Sequence, residues 1–306
     1  MDHPVMVDRA PASIRSVVTS EPPLVTIAIP THERPQLLSR ALESVSHQSY
    51  PRLQVIVSDN ASEGSASREV VEQFKSRIAG IDYVRHDRPV PILTNYLGLR
   101  DRARGQYFMW LADDDEISPD YVSELTAMLE SEPSAACATG HWVLVSSDQT
   151  RRLMPTASYP QRNTLARVLR FIWHSDDAFF YGLHRTSTLR EAGFRGYWWP
   201  NRATPRNWAF VFLLDVVLRG RVLLSDIPSV QFVNHNYTAK AYATRAKPFT
   251  RTLALLIRRI NVHYLYWEKC ARHFGPLVLP LIVLTSLLSL ARESVSRINR
   301  RVVGKA

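Results

Sequence analysis

The chain has 306 residues, 45% of them apolar and 22% charged, which excludes both a disulfide-stapled miniprotein and a disordered tail. Its formal net charge is +10, but residues 249–306 hold ten Lys and Arg against only Glu268 and Glu293, so that tail carries +8 and residues 1–248 only +2. A near-neutral body argues against a nucleic-acid partner. Cys137 and Cys270 stand far apart with no His/Cys ladder around them, which argues against a structural disulfide or a zinc site and fits a reducing, cytoplasmic setting.

Residues 1–23 mix charges and prolines without an apolar core segment; they read as a loose arm rather than a secretory signal. From Leu24 the pattern sharpens. Leu24–Ile29 is a short β-branched run closed by Pro30 and predicts a buried strand. Residues 35–47 place Leu37, Leu38, Ala41, Leu42 and Val45 on one helical face, opened by Pro35. Gln54–Val57 predicts a second strand ending in Ser58-Asp59-Asn60, residues 66–79 a helix, and Tyr83-Val84 a third strand. A helix over 93–103, a strand at Tyr107–Leu111 and a helix over Pro119–Glu130 follow. Such strand–helix alternation predicts an α/β fold with a mostly parallel sheet covered by helices, and ligands in such sheets bind beyond the carboxyl ends of the strands.

The residues at those ends are polar and specific. Pro30, Thr31, His32, Glu33 and Arg34 follow the first strand, Asp59 and Asn60 the second, and Asp113, Asp114, Asp115 and Glu116 the strand at Tyr107–Leu111. Adjacent carboxylates repel one another, and a divalent cation such as Mg²⁺ or Mn²⁺ removes that cost. The competing reading is a solvated acidic turn that caps the helix at Pro119 through its dipole.

The segments VTIAIPTHERPQLLSRALESVSHQSYP, LQVIVSDNAS and TNYLGLRDRARGQYFMWLADDDEISPDYV resemble the nucleotide-binding half of family-two glycosyltransferases of the GT-A fold, over Val25–Glu130, with weaker echoes to about residue 240. The resemblance implies a GT-A domain over 24–240, with 24–130 binding a nucleotide-sugar donor and 131–240 facing a hydroxyl acceptor, a glycan or a lipid-linked one. It implies that Pro30, Thr31, Glu33, Asp59, Asn95 and Asp113 line the nucleotide-sugar pocket. It also implies that Asp114 and Asp115 bind Mg²⁺ or Mn²⁺ and that transfer inverts the anomeric centre. Ala112 stands where many relatives have an acid, which leaves the register of the metal-binding aspartates open by one residue. A late His in such enzymes completes the metal shell, which makes His235 a candidate ligand beside its reading as a surface residue.

The family's catalytic base stands at the start of a late helix, but the corresponding Asn207–Arg219 begins Arg206-Asn207-Trp208 without an acid. Asp176 and Asp177, before the apolar run Ala178–Leu183, and Asp215 are the candidate bases. Asp215 also fits an i, i+4 ion pair with Arg219. Trp198 and Trp199 beside Tyr197 suit a sugar face or core packing. Arg202 and Arg206 suit a phosphate on the acceptor or a solvated loop. Two other functions compete. A nucleotidyltransferase is expected to have a glycine in the phosphate loop, and Pro30–Arg34 has none. A membrane- or partner-binding protein that kept the fold and lost the base fits the missing acid.

In the tail 249–306, residues 250–272 predict a basic amphipathic helix, and Pro276–Ala291 is a 16-residue uncharged run with Pro280 inside it. A span needs about 20 residues. The tail therefore reads as peripheral to the cytoplasmic face of a membrane, lying on it rather than crossing it, with helices packed on the body as the alternative.

Overall fold

The computed structural model describes residues 21–146, 149–154, 156–175, 177–193, 208–232 and 248–303. The first half alternates as the hydrophobic pattern requires: β1 (Val25–Thr31), α1 (Pro35–Ser46), β2 (Leu53–Asp59), α2 (Ala66–Phe74), β3 (Ile81–Arg85), α3 (Ile92–Asp101) and β4 (Tyr107–Trp110). Then come β5 (Asp115–Ile117), α4 (Tyr121–Ser131), β6 (Ala135–Val145), β7 (Arg151–Met154), α5 (Thr164–His174), a 3₁₀ turn at Ala178–Tyr181, β8 (Leu183–Arg185) and α6 (Thr186–Glu191). The chain continues with α7 (Trp208–Arg219), β9 (Arg221–Phe232), α8 (Pro248–Phe274), a 3₁₀ turn at Pro276–Val278 and α9 (Leu279–Val303).

One sheet runs β3-β2-β1-β4-β8-β6-β9-β5, with β7 added on β6. The block β3-β2-β1-β4 is parallel, as expected. From β8 onward the sheet mixes: β8 is antiparallel to β4 and β6, β5 is antiparallel to β9, and β6 runs parallel to β9. A three-residue strand such as β8 carries too little periodicity to be read from sequence.

Strand alternation sorts the core into two layers. Ala28, Phe108 and Trp110 point to one face, where α3, α5, α6, α7, α8 and α9 supply Leu99, Phe171, Leu189, Phe212, Tyr266 and Ile282. Ile27, Ile29, Tyr107 and Met109 point to the other, against Leu38, Leu42, Val71 and Leu125 of α1, α2 and α4. Because β1 is buried on both faces, its sequence is a continuous apolar run rather than an alternating one. Each fully buried Val, Leu, Ile or Phe contributes about 1.5–3 kcal/mol relative to exposure. At the start of β4, Gly105 allows β1 to close in. A Cβ there would lie 2.7 Å from both the Leu24 carbonyl oxygen and the Thr26 nitrogen, and the Gly105 N–H donates to Thr26 Oγ1 at 3.0 Å.

The described part of the tail packs on the body. The helix α8 buries Val262, His263, Tyr266 and Cys270 against the body, and α9 buries Ile282, Ser286 and Ser289. Trp267 Nε1 donates to Ser286 Oγ at 3.0 Å, and Ser289 Oγ donates to the Trp173 carbonyl of α5 at 3.0 Å. The two helices part at Gly275, whose φ of 82° with ψ of 172° is a conformation glycine adopts because it has no Cβ. Pro280 does not break the apolar run. It occupies the second position of α9, where its missing N–H costs nothing. Among the described residues, no helix is long and apolar enough to cross a membrane.

Candidate active site

The carboxyl ends of β1, β2 and β4 lie side by side because the parallel register aligns them: Thr31 is opposite Asp59, and Ala28 opposite Trp110. Beyond β4, Leu111 N still bonds the Ala28 carbonyl at 3.0 Å, and Asp115 N closes a turn on the Ala112 carbonyl at 3.1 Å. The chain then enters β5, where Asp115 pairs with Gln231 of β9. The acidic run is therefore held between two strand pairings. It does not cap α4, whose N-cap is Asp120 and which starts only at Tyr121. The helix-capping reading of these acids is corrected by that placement. Glu116 is also spoken for, since Arg40 of α1 donates to its Oε1 from Nε at 3.1 Å and Nη2 at 2.8 Å.

Asp113 is the buried member. Its Oδ2 accepts from Thr31 Oγ1 at 2.7 Å, and Arg34 Nη2 lies 2.6 Å from its Oδ1. The second contact is an ion pair off the line of a hydrogen bond, so Oδ1 takes no aligned donor. Burial pushes the Asp113 carboxyl up to about 6, against the opposing pull of Arg34 and Thr31. Arg34 also reaches Asp114, with Nη1 3.3 Å from Oδ2. Asp114 keeps 26% of its side chain exposed.

Asp59 sits fully buried at the end of β2, where its Oδ1 accepts from Ser62 N at 2.8 Å and its Oδ2 from Tyr83 Oη at 2.6 Å. That contact and burial together push the Tyr83 hydroxyl well above its ordinary value. Glu33, at φ 57°, is in the left-handed region, a cost for a residue with a Cβ. Its N–H donates to Ser62 Oγ at 2.8 Å and its Oε1 accepts from Glu63 N at 2.5 Å, so Glu33 ties the β1 loop to the β2 loop. Asn95, in the first turn of α3, accepts at Oδ1 from Ser58 Oγ at 2.5 Å, with His86 Nε2 at 3.2 Å. Pro30, Thr31, Glu33, Asp59, Asn95, Asp113 and Asp114 thus belong to one connected rim.

Arg34, Tyr96 and Tyr181 join the site without a motif that announces them. Tyr96 follows Asn95 and is buried; burial and the charges of Asp113, Asp114 and Asp115 hold its hydroxyl well above the usual range. Tyr181 bonds Tyr96 and feels Asp115 and Asp114, and it is raised likewise. Both remain neutral hydroxyls beside the acids. Trp110, Phe180 and Trp208 form the floor: Phe180 stacks on Trp110 at 4.6 Å and 9°, and Trp208 meets Tyr96 edge-on at 5.4 Å. The adjacency of Tyr96 to Asn95 was a signal, but nothing local pairs residue 96 with residue 181.

The candidate bases separate. Asp177 is exposed and heads the 3₁₀ turn that carries Phe180 and Tyr181 to the end of β4. Asp215 is elsewhere. It is ion-paired with Lys269 of α8 and with Arg219 at 3.5 Å, and accepts from Gly193 N at 2.8 Å. It borders a cavity of about 430 Å³ lined by Leu218, Leu265 and Arg272, among others. The pair with Arg219 anticipated from spacing is present, and Lys269 joins it. Asp176, His235, Tyr197, Trp198, Trp199, Arg202 and Arg206 lie outside the described residues.

Carboxylate oxygens suit Mg²⁺ or Mn²⁺, which bind through one or two of them and complete their shell with water and substrate phosphate. Asp113 Oδ1, with no aligned donor, and the part-exposed Asp114 and Asp115 fit that requirement. No group of three or more metal-binding side chains is assembled among the described residues.

A family model described as glycosyl transferase family 2 matches residues 26–192. The Escherichia coli K12 protein WcaA, provisionally a colanic acid biosynthesis glycosyl transferase, is 32% identical over 111 residues, 34% of this chain and 37% of its own. A Campylobacter jejuni GalNAc(5)-diNAcBac-PP-undecaprenol beta-1,3-glucosyltransferase is 23% identical over 184 residues, 60% of this chain and 58% of its own. The chain thus spans less than two thirds of the length of these relatives. Among solved structures, S. aureus TarS 1–349 in complex with UDP superposes with a TM-score of 0.57 at 14% identity, covering 83% of this chain and 72% of that one. That likeness establishes the GT-A fold. With the family model spanning the parallel block, the acid cluster and the 3₁₀ turn, the chain belongs to glycosyl transferase family 2.

Proposed function

We propose that the protein is a metal-dependent glycosyltransferase that moves a sugar from a nucleoside-diphosphate donor to a hydroxyl of a glycan or lipid-linked acceptor at a membrane surface, with inversion. The observation that carries this reading is the cluster of Thr31, Arg34, Asp113 and Asp114 across the ends of β1 and β4, beside the buried Asp59. In it, Pro30, Thr31, Glu33, Asp59, Asn95 and Asp113 shape the donor pocket; an Asp59 oxygen with a lone pair to spare accepts from the base N–H. Asp114 and Asp115, with His235 as a candidate third ligand, hold Mg²⁺ or Mn²⁺. A cation held there would supply positive charge against that developing on the leaving diphosphate. Asp177, with Asp176 beside it, removes the proton from the acceptor hydroxyl as that oxygen attacks the anomeric carbon. The Trp110–Phe180–Trp208 cluster packs behind Tyr96 and Tyr181.

The names of the E. coli and C. jejuni relatives, which refer to colanic acid and to PP-undecaprenol, support an acceptor of that class. Peripheral membrane contact is supported by the outward face of the tail: Leu277, Leu281, Leu284 and Leu288 are 94%, 44%, 53% and 51% exposed. Their 4-3-4 spacing makes one apolar stripe on and beside α9. A tail charge of +8 suits an anionic leaflet, at about 1 kcal/mol per basic residue near it. The test is turnover of UDP-, GDP- and TDP-sugars with Mn²⁺, which Asp114→Ala lowers by at least about 100-fold. If no nucleotide binds at all, the reading fails.

A further inference from the structure

Arg34 reaches two carboxylates with one guanidinium, Nη2 at 2.6 Å from Asp113 Oδ1 and Nη1 at 3.3 Å from Asp114 Oδ2. Its backbone is fixed on both sides. Glu33 before it is held in the left-handed region by Ser62 and Glu63, and Pro35 after it opens α1, while the Arg34 carbonyl accepts from Leu38 N at 3.0 Å. The side chain, 25% exposed, is long enough to trade one anionic partner for another.

A guanidinium 3.3 Å from Asp114 Oδ2 disfavours a divalent cation on the same carboxylate. Their repulsion across a few ångströms is substantial even when water screens it. A diphosphate offers the guanidinium an alternative, because its planar fork matches phosphate oxygens in a bidentate way. A donor that arrives with its cation therefore supplies both the ion for the aspartates and the replacement partner for the arginine. A free cation supplies only the first.

We propose that Arg34 is a positioning residue that serves as the built-in counter-ion of Asp113 and Asp114: it keeps a free divalent cation off them and turns to the diphosphate when the donor delivers one. Metal binding is thereby made conditional on the donor. This rests on the glycosyltransferase reading of the same site.

The test is Mn²⁺ binding to the full chain, followed by loss of the free-ion electron paramagnetic resonance signal, with and without UDP. The parent protein binds Mn²⁺ weakly alone and more tightly with UDP. In Arg34→Gln, Mn²⁺ alone binds at least about tenfold more tightly, and the gain conferred by UDP shrinks. Arg34→Lys keeps the charge without the fork, so Mn²⁺ alone stays weak while UDP confers less than in the parent. Asp114→Asn abolishes the signal loss if the ion sits at the cluster. The inference is overturned if Arg34→Gln binds Mn²⁺ alone no more tightly than the parent, or if Arg34→Lys matches Arg34→Gln. If the parent takes up no Mn²⁺ even with UDP, the metal reading fails and takes this inference with it.

Discussion

Replacing Asp215 by Asn separates a structural carboxylate from a catalytic one. Asp215 and Lys269 are 12% and 15% exposed, and the pair joins α7 to α8, with Arg219 and the Gly193 N–H on the same carboxylate. Removing one member of a buried pair costs about 3–5 kcal/mol because the other charge is stranded. Lys269 retains some solvent and the Gly193 carbonyl at 3.4 Å, so a loss of about 2–3 kcal/mol is expected. For a chain of this length that lowers Tm by about 3–5 °C. Thermal and urea unfolding of Asp215→Asn, Lys269→Met and the double variant form a cycle in which the double variant is less destabilised than the two single effects summed. Donor turnover by Asp215→Asn, measured below its melting range, stays within a few-fold of the parent. An unchanged Tm together with a collapse of kcat would refute the clamp and restore Asp215 as the base.

Two further outcomes follow from the packing. The triple change Leu281→Gln, Leu284→Gln and Leu288→Gln removes exposed apolar surface and is expected to weaken sedimentation with phosphatidylglycerol vesicles while leaving Tm within about 2 °C; sedimentation equal to the parent's counts against the stripe as the lipid-facing side. His184 is fully buried between β4 and β6, and burial lowers its pKa to about 4. In the unfolded chain it titrates near 6.5, so its contribution is complete above pH 6.5 and is lost as pH falls toward 4. Between pH 7 and 5 the parent should lose about 2 kcal/mol more than His184→Leu in urea unfolding; parallel pH profiles would show that burial does not depress His184 in the fold.

The parallel block, and the polar residues gathered at its carboxyl edge, were legible in the amino-acid pattern. Continuous apolar runs at 24–29, 54–57 and 107–111 required strands buried on both faces, and polar residues directly after them had to meet at the carboxyl edge, because parallel pairing aligns strand ends. Thr31, Asp59 and Asp113 were legible for that reason. Long-range packing brought Arg34 to Asp113, since the two are 79 residues apart and meet only when β1 pairs with β4. It likewise decided that Asp215 meets Lys269, that Tyr96 meets Tyr181, and that β8 inserts antiparallel between β4 and β6. Local periodicity reports which face of an element is buried, whereas the identity of the partner on that face depends on long-range packing that no single segment encodes.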